Sequence, residues 1–240
     1  MTTHATLTIH NTSNTLKSFY LAQSPFPLQS GPDEPYSTHV YLSVPPIPSG
    51  GFVQFAFQDG DYSALLSYNS TPGDPLSAQE SKPVVLGMAT GPGGSVVTVT
   101  SSDAGVQATF GPDEEPEDTP GGFTVVTDNS FPFPNDGNIT IGVGKQNPGS
   151  NAVTPTQTWA AQPGLKTQVY PQPRYFVAFG EAKQGTVVEL DLLGNVLQVD
   201  YTDCTVPDAR FDLNDEGLYV ADPTVAKNGI GWVYGPLGGK

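Results

Sequence analysis

The chain has 240 residues, with 24 acids against 9 bases and a formal charge of −15. That balance disfavours a phosphate backbone or an anionic lipid surface as a partner and leaves cations and neutral ligands open. The single cysteine rules out an internal disulfide, and no apolar run reaches the ~18 residues that suggest a membrane span.

The opening MTTHATLTIHNTSN has neither the basic nor the apolar region of a secretory signal. A cytoplasmic location is the simplest expectation, with unconventional release left open. The sequons at Asn11, Asn69 and Asn138 are then expected to go unused. From residue 5 onward the apolar residues recur with period two, the mark of half-buried strands. Residues 5–10 set Leu7 and Ile9 against Thr6, Thr8 and His10. Strands are predicted next at 17–22 and 38–43, then at 52–57 with Val53, Phe55 and Phe57 on one face. Further strands are expected at 62–67, 83–89, 95–100, 105–110, 122–127 and 138–144. The last group falls at 166–170, 174–180, 185–192, 196–201 and 217–221.

Turn residues separate these runs, as SGG at 49–51, TPGDP at 71–75, GPGG at 91–94 and NPGS at 147–150. Gly194-Asn195 reads as a tight hairpin. No amphipathic stretch is long enough to predict a helix. The expected fold is all-β, an antiparallel, turn-rich β-sandwich. GPDEEPEDTPGG at 111–122 holds five acids and no apolar side chain beyond its prolines, and reads as an exposed acidic loop. A shorter relative, GPDEP, stands at 31–35. Residues 1–240 are expected to form one unit; the alternative is two packed β domains, 1–110 and 123–240.

No nucleophile elbow, HExxH, Walker loop or GxGxxG occurs in the chain. GPGGS at 91–95 precedes a strand, so it offers no helix N-terminus to phosphate and reads as a turn. His4 and His10 lie six apart on one strand, roughly 20 Å, too far to share a metal. Parity turns His39 toward solvent. Asp200, Asp203 and Asp208 surround Cys204 in sequence, and if they are near in space they raise its pKa rather than lower it, so it reads as an inert packed thiol. Asp59 and Asp61, the acids of 111–122 and DARFDLNDEG at 208–217 have carboxylates but not the ligand series of a calcium loop. Neither a metal nor a cofactor is expected.

The aromatic residues are the remaining candidates. Tyr175, Val177 and Phe179 share one face of the 174–180 strand, and Phe176 and Ala178 share the other. Both faces are apolar, which predicts a core strand with Arg174 at its rim, paired with an acid. Aromatic faces beside polar groups are how neutral sugars are held. Trp159, Tyr170, Arg174 and Tyr175 are therefore the candidate ligand-binding residues, for a neutral small molecule or a glycan.

Two blocks resemble a known family. The first is ATLTIHNTSNTLKSFYLAQSPFP, with Leu7, Asn11, Ser13, Phe19, Gln23 and Pro25. The second spans 157–191, with Pro171, Pro173, Tyr175, Phe176, Phe179, Gly180, Gln184, Gly185 and Asp191. Together with NITIGVG at 138–144, they are similar to the RhiA-like family of bacterial and fungal β proteins, and the acidic loop 111–122 is an addition to its pattern. The resemblance implies an all-β, soluble protein and carries over no catalytic residue. Three functions fit: a non-catalytic binding module for a neutral ligand such as a carbohydrate, a structural or self-assembling protein, and a motif-free isomerase or cyclase acting on a small apolar metabolite. The first is preferred, for its Thr/Ser/Asn-rich strand faces and its aromatic residues.

Overall fold

A computed structural model describes residues 3–31, 36–59, 61–71, 73–148 and 152–237. Most of GPDEP, part of NPGS, Pro72 of TPGDP and Gly60 between Asp59 and Asp61 lie outside the described residues. The first strands are β1 (Thr3–Asn11), β2 (Lys17–Gln23), β3 (Leu28–Gln29), β4 (Ser37–Thr38), β5 (Val40–Ile47) and β6 (Phe52–Asp59). There follow β7 (Tyr62–Ser67), β8 (Glu80–Val84), β9 (Val96–Thr100), β10 (Thr109–Phe110), β11 (Phe123–Thr127) and β12 (Thr140–Gln146). The chain continues through β13 (Val153–Ala160), β14 (Lys166–Val169), β15 (Arg174–Phe179), β16 (Asn195–Asp200) and β17 (Asp208–Leu213). It ends with β18 (Tyr219–Ala221), the short helix α1 (Pro223–Lys227) and β19 (Gly231–Pro236).

The fold is an all-β sandwich, and it is built twice. Sheet β18-β17-β1-β6 faces sheet β19-β16-β15-β2-β5. Leu7, Ile9, Phe55, Phe57, Tyr175 and Phe211 fill the space between them. Sheet β10-β9-β11-β14-β3 faces sheet β4-β13-β12-β7-β8 around Val99, Phe123, Ile141, Val143, Trp159 and Val169. The period-two pattern explains this directly: Ala5, Leu7, Ile9, Val53, Phe55 and Phe57 are buried while Phe52, Gln54 and Ala56 stay exposed. A third cluster, with Tyr20, Phe176 and Val196, covers the outer face of β15 and β2 and is capped by Ala182, Leu190 and Leu193.

The chain threads between the sandwiches. It leaves the first after β2, returns for β5 and β6, leaves again for β7 to β14, and returns for β15 to β19. Each of the four sheets combines strands from both sides of 111–122, so a cut at that loop would divide all four. Among the described strands two pairings are parallel, β1 with β17 and β9 with β11, and the other strand pairings are antiparallel.

The acidic loop is strapped down. Its Asp113, Glu114, Glu115 and Asp118 are exposed, yet Lys82 Nζ lies 2.7 Å from Asp113 and Lys166 Nζ 2.5 Å from Glu117. Thr98 donates to Glu114, and Glu117 exchanges backbone hydrogen bonds with Gly94 at 2.7 and 3.0 Å. The GPGG segment is the bed of this strap. A Cβ on Gly93 or Gly94 would sit 2.2 Å from the carbonyl oxygen of Glu117 or Gly122.

Several expected elements differ. The strand expected at 185–192 is a bridge at Val187 followed by a 3₁₀ turn at Leu190–Leu192. Leu190 and Leu193 cap the third cluster, so their apolar character reflects packing onto a sheet face, not membership of a sheet. Gly194-Asn195 is accordingly no hairpin; Asn195 opens β16. The strands expected at 83–89 and 105–110 are β8 and the two-residue β10. β13, β17 and β19 were not expected. His39 does not face solvent. It is 1% exposed because it carries the chain from β4 in one sandwich to β5 in the other, where strand parity no longer points outward.

Candidate functional site

β15 and β16 pair antiparallel with Arg174 opposite Asp200 and Phe176 opposite Gln198. β16 pairs in turn with the edge strand β19, setting Gln198 opposite Val233 and Val199 opposite Trp232. This register opens a cleft of ≈310 Å3 at the sheet edge, lined by Ser24, Arg174, Tyr175, Gln198, Asp200 and Trp232 among others. The charges in it cancel: Arg174 Nε donates to Asp200 Oδ2 at 2.7 Å. Burial alone would raise the Asp200 carboxyl, but the hydroxyl and amide of Thr202 and the Arg174 guanidinium hold it below the ordinary carboxylate range. The lining therefore offers guanidinium and amide donors and carboxylate and amide acceptors, while the Trp232 indole, 42% exposed, shares the inner face of the sheet with Val199. That indole meets Phe211 edge-on, with ring centres 5.3 Å apart.

The four sequence-predicted ligand residues separate. Arg174 lies at the cleft, at the end of a buried strand and paired with an acid. Tyr175 lies under the cleft floor, fully buried, and its phenol accepts from Lys145 Nζ at 2.8 Å. Trp159 is only 3% exposed, in the core of the second sandwich. Tyr170 is half-buried beside Gly122 and donates to Gln168 Oε1 at 3.1 Å. Sequence reasoning missed Trp232, Gln198 and Asp200 as cleft residues. The available signal was Gly-Trp-Val-Tyr at 231–234, an alternating run near the C-terminal end.

A polar seam joins the two sandwiches. Lys145 is 1% exposed, with its ammonium 4.4 Å from the Tyr62 ring and 5.5 Å from the Tyr175 ring. Gln23 Nε2 donates to the Tyr62 hydroxyl at 3.1 Å and to the Gln172 carbonyl at 2.7 Å. Tyr41 donates to the Gln146 carbonyl at 2.8 Å, and burial pushes its phenol up. His39 Nδ1 lies 2.9 Å from the Gly185 carbonyl, which can only accept, so Nδ1 carries the proton. Nε2 then accepts from the Thr158 hydroxyl at 2.8 Å. Burial lowers the His39 pKa, and the Gly185 hydrogen bond opposes that only in part. Gln184 Nε2 donates to Tyr41 O and Asn147 Oδ1, both at 2.7 Å. Asn11 is fully buried as a local brace, donating to the Thr15 and Ile47 carbonyls and accepting from Ser13.

His4 and His10 are exposed on β1, and His10 Nδ1 is 3.3 Å from Asp212. DARFDL of the 208–217 segment is strand β17. Among the described residues, no three His, Cys, Asp or Glu side chains converge as metal ligands, and no helix is long and apolar enough to cross a membrane.

A sequence-family model described as RhiA matches residues 2–222. No curated protein and no solved structure matches the chain.

Proposed function

The chain belongs to the RhiA family, and on that premise we propose that it is a non-catalytic binding module for a neutral, hydroxyl-rich ligand of the carbohydrate class, held in the cleft at the β15–β16–β19 edge. One observation carries this reading. A guanidinium–carboxylate pair whose charges cancel stands beside a glutamine amide and the exposed Val233, within a cleft of ≈310 Å3. A sugar presents vicinal hydroxyls that both donate and accept, and a C–H face that packs on an apolar side chain such as Val233. An anionic ligand would have to compete with Asp200 for Arg174, and a cationic one would have to compete with Arg174 for Asp200. The cleft is shallow and lies on a rigid sheet, which suits recognition without closure.

A thermal-shift panel of neutral mono- and disaccharides, sugar acids and amino sugars tests the reading. A ligand at about 100 times its dissociation constant stabilises the fold by ~2.7 kcal/mol. Neutral sugars should raise the melting temperature of the wild type and not of Arg174→Ala. Stabilisation by sugar acids alone, or an equal response from Arg174→Ala, would contradict it.

A further inference from the structure

Among the described residues four sheets present eight edges, and seven of these are guarded. β3, β4 and β10 have two residues each and β18 has three. β5 carries Pro45 and Pro46, β8 carries Lys82 and Pro83, and β19 is broken by Gly235 and Pro236. The eighth edge, β6, is eight residues long and contains no proline, glycine or basic residue. A long edge without such guards is a template for another strand.

The register shows which groups are on offer. Asn11 N donates to Gly51 O, and Gly50 N donates to Asn11 O. In an antiparallel pair the bonded positions alternate, so Val53, Phe55 and Phe57 bond to β1 opposite Ile9, Leu7 and Ala5. The amides and carbonyls of Phe52, Gln54 and Ala56 then point off the sheet. Their side chains are exposed, Phe52 at 64%. A groove follows this edge as two adjoining hollows of ≈420 Å3 each that share Val44 and Gln54.

We propose that β6 is a homodimer interface, pairing antiparallel with β6 of a second copy about a two-fold axis at Gln54. The charge distribution favours a second copy over a foreign segment. Two molecules of charge −15 repel over most of their surfaces, and the outward row Phe52, Gln54 and Ala56 is uncharged. A two-fold axis sets this row against itself with no like charges opposed. Centred on Gln54, it places Phe52 of one copy over Ala56 of the other and joins the two amides. The two four-stranded sheets become one continuous sheet. A cationic peptide would find no acid in that row to pair with.

Sedimentation of the full chain over micromolar to millimolar concentration tests this. A species of twice 25.3 kDa should appear and gain population with added salt, which screens the residual repulsion. Gln54→Lys should abolish it, because the two lysines meet at the axis. Gln54→Glu should abolish it too, and an equimolar mixture of the two variants should restore it. Leu192→Lys, on the 3₁₀ turn outside the β6 groove and 82% exposed, should leave the dimer intact. Melting curves of each variant report folding separately. Wild type that stays monomeric throughout, a dimer unaffected by Gln54→Lys, or a mixture that fails to re-associate would overturn the proposal.

Discussion

His39 gives the sharpest energetic test of how the two sandwiches are joined. Replacing it with Ala empties a site that is 1% exposed and removes both ring hydrogen bonds, to Gly185 O and Thr158 Oγ1. Truncation of a large buried side chain costs about 3–5 kcal/mol, a range that covers the Thr158 hydroxyl left without its acceptor; the Gly185 carbonyl still accepts from the Leu76 amide at 3.0 Å. Against a total stability of about 5–15 kcal/mol, the loss is large. At about 2–4 °C per kcal/mol for a chain of this size, it lowers the melting temperature by roughly 10 °C. The pH dependence has a definite sign. Burial lowers the native pKa of His39 below its ordinary value of 6.5, so below that pH the unfolded chain binds more protons than the native one. Stability then falls as pH drops through the unfolded value, by at most about 1.4 kcal/mol per pH unit, until the native ring protonates. His39→Ala lacks this contribution. Urea denaturation of both proteins at pH 7.5, 6.5 and 5.5 should show the penalty of the variant shrinking toward acid. A penalty under about 0.5 kcal/mol, as for an exposed residue, or one that grows toward acid, would refute the reasoning.

Gly94→Ala should drive a methyl into the Gly122 carbonyl and lift the acidic strap. A glutamate-specific protease should then cut after Glu114 and Glu117 well before it cuts the wild type. Arg174→Ala removes an ion pair whose partners are half and one-third exposed, so it should cost under about 1 kcal/mol in chemical denaturation while removing sugar binding. Trp159→Ala should cost about 3–5 kcal/mol because its ring lies in the second core; sugar affinity measured well below the lowered melting point should be unchanged. Together these two variants separate the residue that binds from the aromatic that packs.

The strands that alternate cleanly were legible in the sequence. Leu7 and Ile9, Val53 and Phe55, and Val97 and Val99 face inward as their spacing predicts. So was the end of β15, where Arg174 meets an acid. β13 was hidden because its buried side chains are polar. Thr156, Gln157 and Thr158 are all inside, satisfied by Val143 O, by the backbone of Phe26 and by His39, so hydropathy carries no trace of that strand. β17 does alternate, with Ala209, Phe211 and Leu213 inward, but its Asp and Arg residues drew attention to metal chemistry instead. Its partner β1 lies about two hundred residues away, at Thr6 opposite Asp208, a pairing that no local pattern encodes. α1 is a five-residue helix capped by Asp222 ahead of Pro223, a start signal without the length that makes a helix periodic. The cleft was only half legible for the same reason. Arg174 and Tyr175 sit on a conspicuous aromatic strand, while Asp200 and Trp232 join them only through the register of β16 and β19. The residues that carry the family resemblance are mostly joints: Asn11 braces a turn, Gln23 and Gln184 bond across the seam, and Gly185 takes a φ of +83° in the turn that meets His39.

The most direct test of the binding reading is a nuclear magnetic resonance titration that follows the two indole N–H signals, from Trp159 and Trp232. Trp159 is sealed in a core and serves as the internal control, while Trp232 stands on β19, whose backbone lines the cleft, and reports on it from the inner face of the sheet. A neutral sugar should move the Trp232 signal in a saturable way and leave Trp159 in place, and it should move neither signal in Arg174→Ala. A panel of sugars that moves neither signal, or moves both alike, would contradict the assignment of the cleft as the binding site.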